Sequence, residues 1–570
     1  MVFLPLLLLR QADSPDAFLQ KLAAAVRDKD REAIAQAFDN KAGSSYLFEM
    51  AKSRGGLQKL KVGMLPAPPG WTGYGRYWVV FHTFQDLEDY HDPVYRVIET
   101  PGGLRLGSEV SEADSGGWRI RKVSHRTVLS PEESRADISV QLDLTVGSAQ
   151  RAPVFRLNEV YQFSPGRAVT ADDRHIARPH DGRLLRVGSL LIPWTSHPAD
   201  SYRFNYGATL PVGDREDSVS AKAAYLTSWW IPSLARLPFP VDAVIDAPAS
   251  WTVRAEGERG AVERHGNRKV SHFRCDLPIS YPKVMGGLYT KVAEQKAGGQ
   301  LFTVYQLEPI KRDVAAKDLQ NMVNAAEFYR RNLGPLPFNG YECYDSATYY
   351  GIESYSHTFL KKGITTWAVS HEMGHSYFGG LAPCAYVHDS WNEGVTQYID
   401  SIAYQNNADR SLENGLKTVS VPVPLSQMPV AWSYGNTTYY RGAYVLKMLE
   451  TEIGRDNVLA ALKAIAFGRR GMDTRWDDLR AYFERASGKP LDWFWRQWID
   501  GATFPTLSVV ANSNGKVTVQ QSGTPHPFRL RFAVIQNGQK KVVELHESEA
   551  TFAADGPTID VFPYALAKMR

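Results

Sequence analysis

Cysteine is scarce in this chain. Cys275, Cys343 and Cys384 are its three cysteines in 570 residues, far apart and odd in number. That excludes a disulfide framework and a cysteine-rich metal knuckle, and leaves the compartment open. Charge of one sign is lacking too. Lys and Arg number 65 against 61 Asp and Glu, a net of +4, and the basic residues are scattered. This excludes an electrostatic footprint for nucleic acid. No apolar run approaches the ~20 residues that a transmembrane helix needs. The nearest, residues 2–9 within "MVFLPLLLLR", reads as the core of a weak signal peptide, which would export the protein to the periplasm or outside the cell. No basic residue precedes it, so a buried N-terminal segment of a cytoplasmic protein is the other reading. Internal repeats and low-complexity tracts are also missing, which excludes solenoids and propellers.

What is present is the composition of a globular protein, 44% apolar and 12% aromatic, long enough for three or four domains. The patterning predicts a multidomain α+β chain. Residues 1–45 form an N-terminal segment with helices, in which Phe18, Leu22, Ala25 and Val26 share a face. Residues 46–310 alternate as strands do, as in "DISVQLDLTV" and "LFTVYQLE", and predict a large β-rich domain. Helical periodicity governs 311–505, with helices expected over 315–333, 366–378, 393–404, 441–453, 457–467 and 476–486. Strand patterns return in 506–570 and predict a small β-sandwich.

The chemistry concentrates in "VSHEMGHSYFGG", residues 369–380. Positions four apart share a helix face, so His371 and His375 can direct imidazole nitrogens at one cation. Glu372 stands beside the first histidine, where it can face a water without filling a coordination position. This is the His-Glu-x-x-His pattern of zinc hydrolases. Two surface histidines on an amphipathic helix would show the same five residues. The apolar "GITTWAV" before them predicts a packed helix, and Gly379 and Gly380 a sharp exit. Downstream, "SWNEGVTQYID" offers Glu393 at the start of a helix, either as a third ligand or as a helix-start carboxylate favoured by the dipole. His175, His180 and His388 lack such partners. The aromatics of "DWFWRQW" read as a helix packed on the core.

Taken together, "HEMGHSYFGG" followed by "SWNEG" resembles the gluzincin aminopeptidases of the aminopeptidase N type. The likeness extends to "PISYPKVMGGLY", "AAEFYRRNLGPLPFNGYE" and "SGKPLDWFWRQWIDGATFPTLSV". It implies an N-terminal β-saddle, a thermolysin-like and mostly helical catalytic domain, and a small β-sandwich. It also implies one Zn2+ per chain on His371, His375 and Glu393, with Glu372 as general base. In most of the family 18 residues separate the second histidine from the glutamate, whereas here there are 17. Aligning Arg441-Gly442 in "TTYYRG" with the family's Lys-Gly gives Tyr439 the oxyanion-stabilising role, with Tyr440 as the alternative. The family's substrate strand, Gly-x-Met-Glu-Asn, corresponds to "YGIES", so that Glu353 would bind the substrate's α-ammonium and Gly351 would line its backbone. Tyr350, Ile352 and Ser354 depart from that pattern.

The expectation is a zinc aminopeptidase acting on peptides. A zinc endopeptidase and a catalytically silent peptide-binding scaffold are the alternatives.

Overall fold

In the computed structural model the described residues are 14–40, 44, 47–48, 51–52, 55–71, 75–82, 93–110, 117–145, 151–163, 168–170, 183–187, 189–195, 197–212, 217–234, 236–280, 282–346, 351–361, 365–385, 389–406, 423–428, 437–553 and 558–570. Residues 2–9 and Tyr350, His175, His180 and His388 lie outside them. Among the described residues no helix is long and apolar enough to cross a membrane.

The first helix, Pro15–Arg27, starts where local chemistry says it should. The Ala17 amide donates to Ser14 Oγ, Pro15 opens the first turn and Asp16 favours the positive dipole end. Its Phe18, Leu19, Leu22 and Val26 are buried. The β-rich region contains a seven-stranded sheet. In its strand Arg135–Thr145 the alternating Ala136, Ile138, Val140, Leu142 and Leu144 are buried, the period-2 pattern of a half-covered strand.

A five-stranded sheet carries the approach to the site, in the order Thr290–Ala297, Gln300–Gln306, Gly340–Ser346, His357–Lys361, Gly351–Glu353. Its first two strands precede residue 310, the boundary expected from the change of periodicity. Gln300–Gln306 nonetheless pairs in parallel with Gly340–Ser346, across the connecting helix Arg312–Asn332. This is a strand–helix–strand crossover, which hydrophobic periodicity alone does not reveal. The last strand, Gly351–Glu353, is an edge strand antiparallel to His357–Lys361.

Helices follow: Thr365–Gly374, Trp391–Gln397, Gly442–Ile453, Arg455–Gly468, Trp476–Ser487 and Asp492–Trp498. Phe494, Trp495 and Trp498 are buried in the core, as the packed-helix reading expects. Two segments depart from regular α-helix, the first within the helix expected over 393–404 and the second just ahead of the one expected over 441–453. Residues Tyr398–Tyr404 and Thr437–Arg441 are wound as π-helix, a form that gathers at functional sites. Beyond residue 505 lie a four-stranded and a three-stranded sheet. Phe532 of one meets Phe552 of the other edge-on at 5.7 Å. The architecture is mixed α and β with many sheets.

All three cysteines are buried, and none is in a disulfide.

Candidate metal centre

The helix Thr365–Gly374 is a core element. Val369, Ser370 and Met373 are wholly buried, and His375 is nearly so. Tyr329 OH, from the helix beneath, donates to the Ser370 carbonyl at 2.8 Å. The helix ends four residues earlier than the periodicity predicts. Amides of Ser376 and Tyr377 turn back to the carbonyls of Met373 and Gly374 at 3.0 Å, i→i+3 bonds that tighten the last turn. Gly379 then takes a φ of 126°, which an L side chain would resist.

Three ligand-type atoms converge. His375 Nε2 is 3.3 Å from His371 Nε2, and Oε2 of Glu393 is 3.3 Å from the former and 3.6 Å from the latter. Donors held at about 2.0–2.1 Å around a tetrahedral zinc stand about 3.3–3.4 Å apart, so the triangle has the right edges. The one-residue shortening between His375 and Glu393 has not drawn the carboxylate away. Oε2 of Glu393 is buried without a hydrogen-bond donor among the described residues. His375 Nδ1 lies 3.0 Å from the Phe378 carbonyl and 3.3 Å from Thr396 Oγ1. A proton on Nδ1, donated to that carbonyl, leaves the Nε2 lone pair for a cation. The residues fit a divalent cation.

The electrostatics agree. Burial lowers the pKa of His375, but the Glu393 carboxylate outweighs it and lifts the group to about 10. Burial raises Glu393, and the charges of His375 and His371 more than reverse that, holding it below the usual carboxylate range. The triad thus favours positive charge at its centre. Glu372 is pushed up to about 7, chiefly by burial, against the opposing charges of His371 and His375.

The other expected residues are near. A Cβ built on Gly351 would come 3.0 Å from Oε1 of Glu372, so the bare backbone of the edge strand makes room for that carboxylate. Glu353 is half-buried, two residues along the same strand. Its charge is among those that raise Glu372. The ring of Tyr439 lies 5.9 Å from that of His371. Tyr440 packs its ring against the hydrophobic core.

Sequence reasoning missed the supports. Gly374 approaches Thr396 so closely that a Cβ would sit 2.9 Å from its Cγ2, which lets the two ligand-bearing helices meet. Asp389 accepts from the amides of Trp391 and Trp476 at 3.3 Å and fastens the start of the Glu393 helix. Asp400 feels the charge of His371 and accepts from Gln405 at 3.0 Å. Arg441 is fully buried and donates to the carbonyls of Val423 and Gly501 at 2.7 and 2.5 Å. An arginine directly after two tyrosines could be read for the last of these, but its burial could not.

No protein-family model matches the chain. A stretch of 202 residues is 25% identical to Aminopeptidase M1 of Arabidopsis thaliana, covering 30% of this chain and 23% of that protein. Aminopeptidase 2, mitochondrial, of Saccharomyces cerevisiae is 23% identical over 225 residues, 33% of this chain and 23% of its own. Tricorn protease-interacting factor F2 of Thermoplasma acidophilum is 28% identical over 209 residues, 32% and 26% respectively. The chain spans about a quarter of the length of these curated relatives. Curated aminopeptidases thus match at modest identity over about a third of the chain, and they support its resemblance to the gluzincin aminopeptidases of the aminopeptidase N type.

Proposed function

We propose that the protein is a zinc-dependent aminopeptidase that removes N-terminal residues from peptides. The observation that carries this reading is the convergence of His371, His375 and Glu393 within 3.3–3.6 Å of one another. One Zn2+ per chain would be held there, and bound zinc supplies Lewis acidity, which acidifies water and polarises a carbonyl.

The chain's own residues divide the remaining work. Glu372 is the general base and later returns its proton to the leaving amine, a transfer worth ~10²–10⁴ in rate. The Tyr439 hydroxyl donates to the oxygen on which negative charge develops. Glu353 receives the substrate's α-ammonium and thereby measures one residue from the free end to the scissile bond. Gly351 keeps the edge strand narrow beside the base.

A panel of free and N-blocked peptides, given to purified zinc-loaded protein with its zinc content measured, tests the reading. Cleavage confined to free N-termini at one zinc per chain is expected. Equal cleavage of blocked peptides would make the protein an endopeptidase, and zinc binding without cleavage a silent scaffold.

A further inference from the structure

Glu353 is followed by a turn wrapped around a carboxylate from a distant part of the chain. The amides of Tyr355 and Ser356 donate to Oε1 and Oε2 of Glu256 at 3.3 Å, and Ser356 Oγ donates to Oε2 at 3.1 Å. Glu256 is 1% exposed. The Lys283 ammonium is wholly buried, donates to the backbone carbonyl of Glu353 and stands 3.9 Å from its Oε1. Burial pushes the Glu256 carboxyl up, and the charges of Lys283 and then Arg254 oppose that. Arg254 continues the network to Glu342 at 3.2 Å, on the central strand Gly340–Ser346.

Buried charges of this kind add little stability over a well-packed apolar replacement. Their placement is what stands out. The carbonyl of Glu353 and the amides two and three residues beyond it are all gripped by groups lying 70–100 residues upstream. At 3.9 Å the Lys283 ammonium attracts the Glu353 carboxylate without hydrogen-bonding to it, so that contact takes up no oxygen lone pair. The other contacts that hold this three-residue edge strand, its pairing with His357–Lys361 and the Thr358 hydroxyl donating to the Ile352 carbonyl at 2.9 Å, act on its backbone.

We propose that Glu256 and Lys283 are positioning residues that fix the strand end and carboxylate of Glu353, and so set the preference for substrates with a free α-ammonium. This rests on the anchoring role given to Glu353 above.

The test compares leucine hydroxamate with its des-amino analogue, 4-methylpentanohydroxamic acid. Both bind zinc, and they differ in the amino group. Calorimetric Kd values are measured on the zinc-loaded full chain. In the parent protein the amino compound binds more tightly, and Glu353→Gln brings the Kd ratio towards one. Lys283→Met lowers the ratio about tenfold or more, as expected for a weakened charge-assisted contact, with the des-amino Kd unchanged. The double variant Glu256→Gln, Lys283→Met removes both charges at similar volume, and its thermal melt reports folding. It shows the same loss of ratio should the single variant fail to fold. If Glu353→Gln collapses the ratio while a folded Lys283 or double variant keeps it, the positioning role is overturned alone. If Glu353→Gln leaves the ratio unchanged, the anchoring role and this inference fall together.

Discussion

A Cβ on Gly394 would lie 2.8 Å from the Cα of Gly442, so the helix of Glu393 and the helix that follows Tyr439 touch backbone to backbone. No side chain fits between them. Gly394→Ala should therefore push the Glu393 ligand and the Tyr439 turn apart. Overpacking at such a contact costs ~1–3 kcal/mol. A lowered thermal midpoint together with weaker zinc affinity is expected, and normal zinc affinity with a normal midpoint would contradict the crossing.

Gly351→Ala should act differently. Its Cβ would meet Oε1 of Glu372 at 3.0 Å, displacing a carboxylate and not a ligand. Zinc content stays at that of the parent while kcat falls by roughly tenfold or more, since small misplacements of a reacting group cost that much. Metal analysis beside steady-state kinetics separates the two effects.

Ligand and base are separable in the same way. His375→Ala should abolish stoichiometric zinc. Glu372→Gln should keep it and lower kcat by ~10²–10⁴. Loss of zinc from the Glu372 variant would move that residue into the ligand set.

The two tyrosines make an internal control. Tyr439 lies against His371 and Tyr440 against the core. Tyr439→Phe should lower kcat ~10²–10³, the usual cost of one oxyanion donor, with KM little changed. Tyr440→Phe should leave kcat within about twofold. The reverse order would shift the register by one residue.

Stability should depend on pH through His125, which is buried against Trp230 and lowered by desolvation from 6.5 to about 3. Between those values the unfolded chain binds the proton and the folded chain does not. The contribution is therefore complete above pH 6.5 and is lost as pH falls towards 3. His125→Phe should flatten the slope of unfolding free energy over that window, as read by urea titrations at several pH values. An unchanged slope would show that other groups carry it.

Local geometry explains what was legible beforehand. The His371 and His375 pair could be read because four-residue spacing on a helix fixes side-chain direction whatever surrounds it. The alternation in Arg135–Thr145 and the packed aromatics of Asp492–Trp498 could be read for the same reason. The expected boundary at residue 310 did not foresee that Gln300–Gln306 shares a sheet with Gly340–Ser346, because parallel partners are not neighbours in the chain. The separation of Tyr439 from Tyr440 depended on a π-wound turn and a buried Arg441, neither of which has a periodic signature.

The residue types and spacings by themselves determined the chemistry on offer: two imidazoles, a neighbouring carboxylate and a glutamate downstream. Tertiary structure decided whether those groups meet. It brought Glu393 to the histidines, let glycines seat the helices against one another, and set Lys283 and Glu256 under the strand of Glu353. Such contacts join segments tens of residues apart, and they depend on close packing and the burial of charge, which act only once the chain has folded.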